Sequence, residues 1–106
     1  MVQKDLLKAI KQRLDEHYGE RLKGVILFGS EARGDAEEDS DVDFLVLLDG
    51  PVDVGQEIRD IHERLYPIQL EREFYRPLEV IPVDVEDYEE QGYALYRHAR
   101  EEGVPL

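Results

Sequence analysis

Apolar residues recur along this chain with two different periods. Over residues 2–18, Leu6, Leu7, Ile10 and Leu14 fall at helical spacing among charged neighbours, which predicts an amphipathic helix stopped by Gly19. Residues 24–28 are a short apolar run of β-formers and predict a strand. Residues 29–40 read as turn and loop, with room for one helical turn around 31–33. From 41 to 48 the period is two: Asp41, Asp43, Leu45 and Leu47 share one face, and Val42, Phe44, Val46 and Leu48 share the other. Asp49, Gly50 and Pro51 end that strand. Val54, Ile58, Ile61 and Leu65 mark a helix over 54–66, which Pro67 ends or kinks. Residues 68–75 read equally as more helix or as the start of an extended segment. Residues 78–85 predict a third strand, where Pro82 points to an edge or a bulge. An acidic turn is expected at 86–91, then a last helix at 93–102 stopped by Gly103 and Pro105.

The order is helix, strand, strand, helix, strand, helix, with no repeat and no linker. Residues 1–106 are therefore expected to form one domain. The first two strands are joined without a crossover helix, which predicts antiparallel neighbours. The expected class is α/β (α+β), a small sheet flanked by helices.

Charge narrows the partners. The 106 residues carry a net charge of −13. Residues 1–35 hold seven Lys/Arg against six Asp/Glu, whereas residues 36–106 hold six against twenty. Such a surface argues against stable binding of duplex nucleic acid and favours divalent cations or a basic protein partner. With no cysteine, disulfides, thiolate zinc sites and cysteine nucleophiles are excluded. The charged N-terminal segment is no secretory signal and no apolar run reaches membrane length, so the expectation is a cytoplasmic protein without a membrane association.

One stretch carries chemistry: Gly29 to Phe44, GSEARGDAEEDSDVDF. A Gly-Ser turn at a strand end can offer backbone N–H groups and a hydroxyl to an anion, and a following helical turn adds its dipole. Arg33, one turn on, can reach the same anion as a bidentate donor. Asp41 and Asp43 point to one side of the next strand, where they repel unless a cation lies between them. Hard carboxylate oxygens of this kind suit Mg²⁺ or Mn²⁺. Gly29-x4-Gly34 begins like a P-loop, but Asp35-Ala36 stands where Lys-Ser/Thr is required. An EF-hand read from Asp35 fails at Ser40 and Val46. What survives is a phosphate corner beside two same-face aspartates, a geometry for a nucleoside triphosphate with metal.

GSEARG followed by SDVDFLV resembles the nucleotidyltransferase superfamily that includes DNA polymerase β, and within it the prokaryotic minimal nucleotidyltransferases (MNT proteins). The resemblance implies a polymerase β-like fold with a mixed sheet and a site of three carboxylates. Asp41 and Asp43 would be the first two. Glu79 leads for the third, with Asp84 as the alternative; the usual aspartate is absent at position 79. The implied ligands are ATP and two Mg²⁺ ions, with Mn²⁺ possible as a substitute. Gly29 and Ser30 would bind the β and γ phosphates, Arg33 would meet developing negative charge, and Ser40 would support the loop or touch a phosphate. The implied activity is Mg²⁺-dependent transfer of AMP onto a tyrosine of a HEPN-type toxin, making the chain an antitoxin in a homo- or hetero-oligomer. The competing reading is a catalytically weak module that neutralises its partner by contact, favoured by the glutamate at position 79. A stand-alone transferase acting on a small molecule fits less well, since such enzymes usually carry an added domain. His17, His62 and His98 are expected in solvated or capping roles, and Tyr88, Tyr93 and Tyr96 in packing or an interface.

Overall fold

The computed structural model describes residues 2–90 and 93–106. Helix α1 (Lys4–Tyr18) buries Leu6, Ile10 and Leu14, four residues apart, as the sequence pattern requires. A 3-10 turn (Gly19–Arg21) leads into β1 (Leu22–Phe28). Then come α2 (Gly29–Arg33), β2 (Val42–Leu48), α3 (Val54–Glu71), β3 (Leu78–Asp84), α4 (Val85–Glu90), α5 (Ala94–Glu102) and β4 (Val104–Pro105).

The sheet order is β3-β2-β1-β4. β1 is antiparallel to both β2 and β4, whereas β2 and β3 are parallel, with α3 as the crossover that parallel pairing needs. The period-two alternation of β2 divides the interior. Val42, Phe44, Val46 and Leu48 face α1 and α3, in a core with Ile10, Leu14, Ile61 and Leu65. Leu45 and Leu47 face the opposite side, with Ile26, Val83, Tyr88 and Ala99. Burying each large apolar side chain contributes roughly 1.5–3 kcal/mol. β2, buried along both faces, is therefore the strand on which everything else is assembled.

Four expectations need correction or completion. Helix α3, expected over 54–66, runs through Pro67 to Glu71, so of the two readings open for residues 68–75 the helical one holds as far as Glu71. Ile68 beyond the proline is buried on the same face as Ile61 and Leu65, and Pro67 itself is exposed, where water can serve the carbonyl that proline leaves without a donor. Val54, assigned to the apolar face of that helix, is 53% exposed at its first position. The acidic turn at 86–91 is helix α4 as far as Glu90, with Gln91 outside the described residues. Tyr88 drives it by packing into the second core, and the Asp84 carboxylate accepts the Glu86 N–H (2.9 Å) at its start. Gly103 and Pro105 do stop the last helix, but Val104–Pro105 then pair with Ile26 and Leu27 as a short outer strand.

Residues 72–77, beyond the end of α3, form a tight return. Glu73 takes a positive φ of 52°, and the Gln69 side chain donates to the Phe74 and Arg76 carbonyls (3.4 and 3.1 Å). This return delivers Arg76 and Pro77 to the end of the sheet where the Gly-Ser turn lies.

Candidate active site

Register builds the site. Phe28 pairs with Asp43 across β1 and β2, and Asp43 pairs with Glu79 across β2 and β3. Side chains in register share a face, so the two acids stand side by side at one end of the sheet. Asp41, just before β2, is on the same face by its spacing of two. Carboxylate oxygens of Asp41, Asp43 and Glu79 all lie within 4.8 Å of one another. Asp84, the alternative third acid, is at the far end of β3, occupied with the Glu86 N–H, and does not join them.

The Gly-Ser turn abuts this row. Gly29 has φ +74°, and a Cβ there would collide with the Asp43 carboxylate, so only glycine permits both the backbone turn and the close approach. Ser30 follows in the first turn of α2. Gly34 ends α2 in the left-handed region (φ 82°), and Asp35 N–H returns to the Ser30 carbonyl (3.0 Å). The one helical turn expected near 31–33 is thus Gly29–Arg33. Arg33 is exposed and its guanidinium pairs with Asp35 (3.3 Å) and Glu102 (3.6 Å). The Ser40 hydroxyl accepts the Glu37 N–H (2.9 Å), which closes the loop before β2.

Sequence reasoning missed the brace behind this loop. The Glu31 side chain, only 4% exposed, accepts the Val2 N–H (2.8 Å) and pairs with Arg76 (2.7 Å). Arg76 also donates to the Ser40 carbonyl (2.9 Å). One guanidinium therefore ties α2, the loop end and the return before β3 together. No local signal marks it: a lone arginine before a proline has no periodicity to read, and Glu31 is a single acid in the turn ahead of the acidic loop 35–43.

The electrostatics of the two acid groups are opposite. Burial alone would push the Glu31 carboxyl up, but the Val2 N–H and Arg76 outweigh it and hold it below the usual carboxylate range. Asp43 is pushed up to about 6, first by burial, then by hydrogen bonding to Glu79 and the charges of Glu79 and Asp41, with Arg33 opposing. Three carboxylates this close, none in an ion pair with a cation among the described residues, form an oxygen donor set for hard divalent ions. The residues present therefore fit a hard divalent cation such as Mg²⁺ or Mn²⁺.

A cleft of about 380 Å³ opens from the acids along β3 and α3, lined by Asp41, Glu79, Val54, Ile58, His62 and Pro82 among others. His62, on α3, is partly exposed at this cleft. His17 accepts a hydrogen bond from Arg64 Nε (3.2 Å). The tyrosines divide: Tyr88 is core, whereas Tyr93 is 69% exposed.

Residues 7–101 match the family model described as a nucleotidyltransferase domain. The chain belongs to this nucleotidyltransferase family. It is 35% identical over 82 residues to a Methanocaldococcus jannaschii protein provisionally named a protein adenylyltransferase, an alignment covering 77% of this chain and 54% of that protein. Two further M. jannaschii proteins with the same provisional name are 46% identical over 44 residues and 51% identical over 45. Those alignments cover 42% and 40% of this chain and 44% and 45% of the relatives, so the nucleotidyltransferase chain spans about half the length of the curated relatives it matches. Among solved structures it resembles a toxin–antitoxin crystallised with AMP-PNP, with TM-score 0.66 and 18% identity over 92% of this chain and 69% of that one. It also resembles a Sulfolobus solfataricus protein provisionally named a nucleotidyltransferase, with TM-score 0.59 and 21% identity over 95% and 78% of the two chains. At these identities the structural likeness is one of fold, and it agrees with the mixed sheet flanked by helices. Among the described residues no helix is long and apolar enough to cross a membrane.

Proposed function

We propose that this nucleotidyltransferase moves AMP from ATP onto a tyrosine of a partner protein, a toxin of the HEPN class, and so acts as its antitoxin in the cytoplasm. The observation that carries the reading is the carboxylate cluster of Asp41, Asp43 and Glu79 against the Gly29–Ser30 turn. The family supports nucleotidyl transfer, the names of the M. jannaschii relatives support a protein acceptor, and the fold shared with a toxin–antitoxin supports the setting.

Asp41, Asp43 and Glu79 would hold two Mg²⁺ ions, which when bound lower the pKa of an attacking hydroxyl and offset charge on the leaving pyrophosphate. The Gly29 and Ser30 N–H groups and the Ser30 hydroxyl bind the β and γ phosphates. Arg33 already acts electrostatically on Asp43, and exchanges its surface pairs with Asp35 and Glu102 for the charge that develops on the phosphates. Glu31 and Arg76 keep the turn and the loop at Ser40 in place. As the phenol oxygen bonds to the α-phosphorus, the bond to pyrophosphate breaks and the phenol proton is released. A module acting by contact alone drew its support from a glutamate at position 79. That carboxylate lies with the other two, which favours the catalytic reading.

Isothermal titration of ATP with Mg²⁺ tests this. Wild type is expected to bind in a Mg²⁺-dependent manner and Asp41→Asn/Asp43→Asn is not; equal metal-dependent binding by both overturns the proposal. Incubation with labelled ATP and the product of the neighbouring gene then separates transfer from protection by contact.

A further inference from the structure

We propose that the cleft between β3 and α3 is the acceptor subsite, occupied by an extended polypeptide segment that lies along the outer edge of β3 and presents a tyrosine at its upper end. This rests on the nucleotidyl-transfer reading above and adds where, and in what form, the acceptor binds.

Phosphoryl transfer sets the attacking and leaving oxygens in line on opposite sides of the phosphorus. Gly29 and Ser30 stand at the β1 side of the acid row, and Glu79 stands at its β3 side. A triphosphate whose pyrophosphate rests on the Gly-Ser turn is therefore attacked from beyond Glu79, at the outer edge of the sheet. The cleft opens there, with Asp41 and Glu79 at its mouth.

The edge is suited to a strand. β3 is the last strand on its side of the sheet. Val42 N–H donates to the Pro77 carbonyl (2.9 Å), and parallel pairing from that point turns the backbone of Glu79 and Ile81 toward β2 and that of Leu78 and Val80 outward. Pro82 falls in the outward set, where a missing N–H costs no ladder bond. An incoming segment can pair with Leu78 and Val80 as added strands do, with its side chains set in the cleft. The volume, about 380 Å³, is near the low end of the roughly 300–1,000 Å³ of small-ligand sites, room for an aromatic side chain and its flanking backbone. Ile58 offers an apolar wall, and His62 a polar atom for the occupant.

The test uses a blocked, fluorescently labelled pentapeptide of valine and threonine with tyrosine at its centre, added with Mg²⁺ and a non-hydrolysable ATP analogue. Val54→Glu and His62→Trp change positions on the surface of α3, and circular dichroism checks that each variant is folded. In both, peptide affinity is expected to fall at least about tenfold and the KM for transfer to rise in step. Mg²⁺–ATP affinity is expected to stay within about twofold. In wild type the Leu78 and Val80 amide resonances shift on adding peptide. No peptide binding by wild type, peptide binding by both variants as tight as by wild type, or a parallel loss of ATP affinity (the nucleotide base then occupying the cleft) overturns the inference. A wild type that binds no Mg²⁺–ATP overturns the nucleotidyl-transfer reading instead, and this inference falls with it.

Discussion

At the end of the sheet away from the acid cluster, buried Glu57 accepts the Tyr18 hydroxyl (3.0 Å) and pairs with Arg21 (2.8 Å), which also donates to the Asp49 and Pro51 carbonyls. At the other end, Asp43 lies half-buried between Asp41 and Glu79 with no guanidinium of its own. The first carboxylate is held by the protein's own donors, and the Tyr18 phenol is pushed up by burial and by Glu57. The second is pushed up to about 6, first by burial and then by its carboxylate neighbours. Glu31 follows the first pattern: Arg76 pairs with it at 2.7 Å and also donates to the Ser40 carbonyl. An acid that supports the fold carries its counter-ion in the chain, whereas acids left facing one another are arranged for a cation from outside.

The sharpest way to break this comparison is to neutralise one acid of each kind. Asp43→Asn is expected to lower AMP transfer about 10³-fold or more while leaving the melting temperature of the metal-free protein equal or higher. A stability loss in that variant would mean the cluster is structural after all. Arg76→Ala should instead destabilise the fold by about 3–5 kcal/mol, because Glu31 is left buried without its counter-ion, as read by urea denaturation. Replacing both partners, Glu31→Leu with Arg76→Met, should recover most of that loss.

At the far end, Arg21→Ala should cost only about 1–2 kcal/mol, since Arg21 is partly exposed and Tyr18 still serves Glu57. Transfer activity per folded molecule should be unchanged, and a drop in it would link the two ends.

The smallest effect is on pH. Asp43 has its carboxyl raised from 3.8 to about 6 in the folded protein, so the stability linked to its protonation is fully present below pH 4 and lost as pH rises through 6. Metal-free wild type should therefore lose stability relative to Asp43→Asn across that window, on the order of 1 kcal/mol after allowance for solvent screening. Mg²⁺ should return it above pH 6. Parallel curves for wild type and variant would remove the premise that these carboxylates strain one another.

Much of this site is legible in local pattern. Asp41 and Asp43 fall on one face because a strand alternates, and Gly29 marks a turn because its conformation tolerates little else. The antiparallel pairing of the first two strands follows from a short connection. The pattern left the end of α3 open, since Pro67 reads as an end or a kink, and Ile68 decided it by having a core to join; it failed at 86–91, which read as an acidic turn although Tyr88 is buried in helix α4. Position 79 is intermediate. Its place at the start of a strand could be read, but the choice between Glu79 and Asp84 needed the register of β3 against β2.

By itself, the order of residues determined the first three strands and the helices around them, the two faces of β2 and the glycine-serine turn before two aspartates, because each depends on neighbours within a few positions. Only the tertiary structure decided which acid completes the cluster, which arginine braces it and where a cleft opens onto it. Those depend on residues tens of positions apart, such as Glu31 with Arg76 and Asp43 with Glu79, whose meeting is set by strand register and a crossover helix rather than by any local preference.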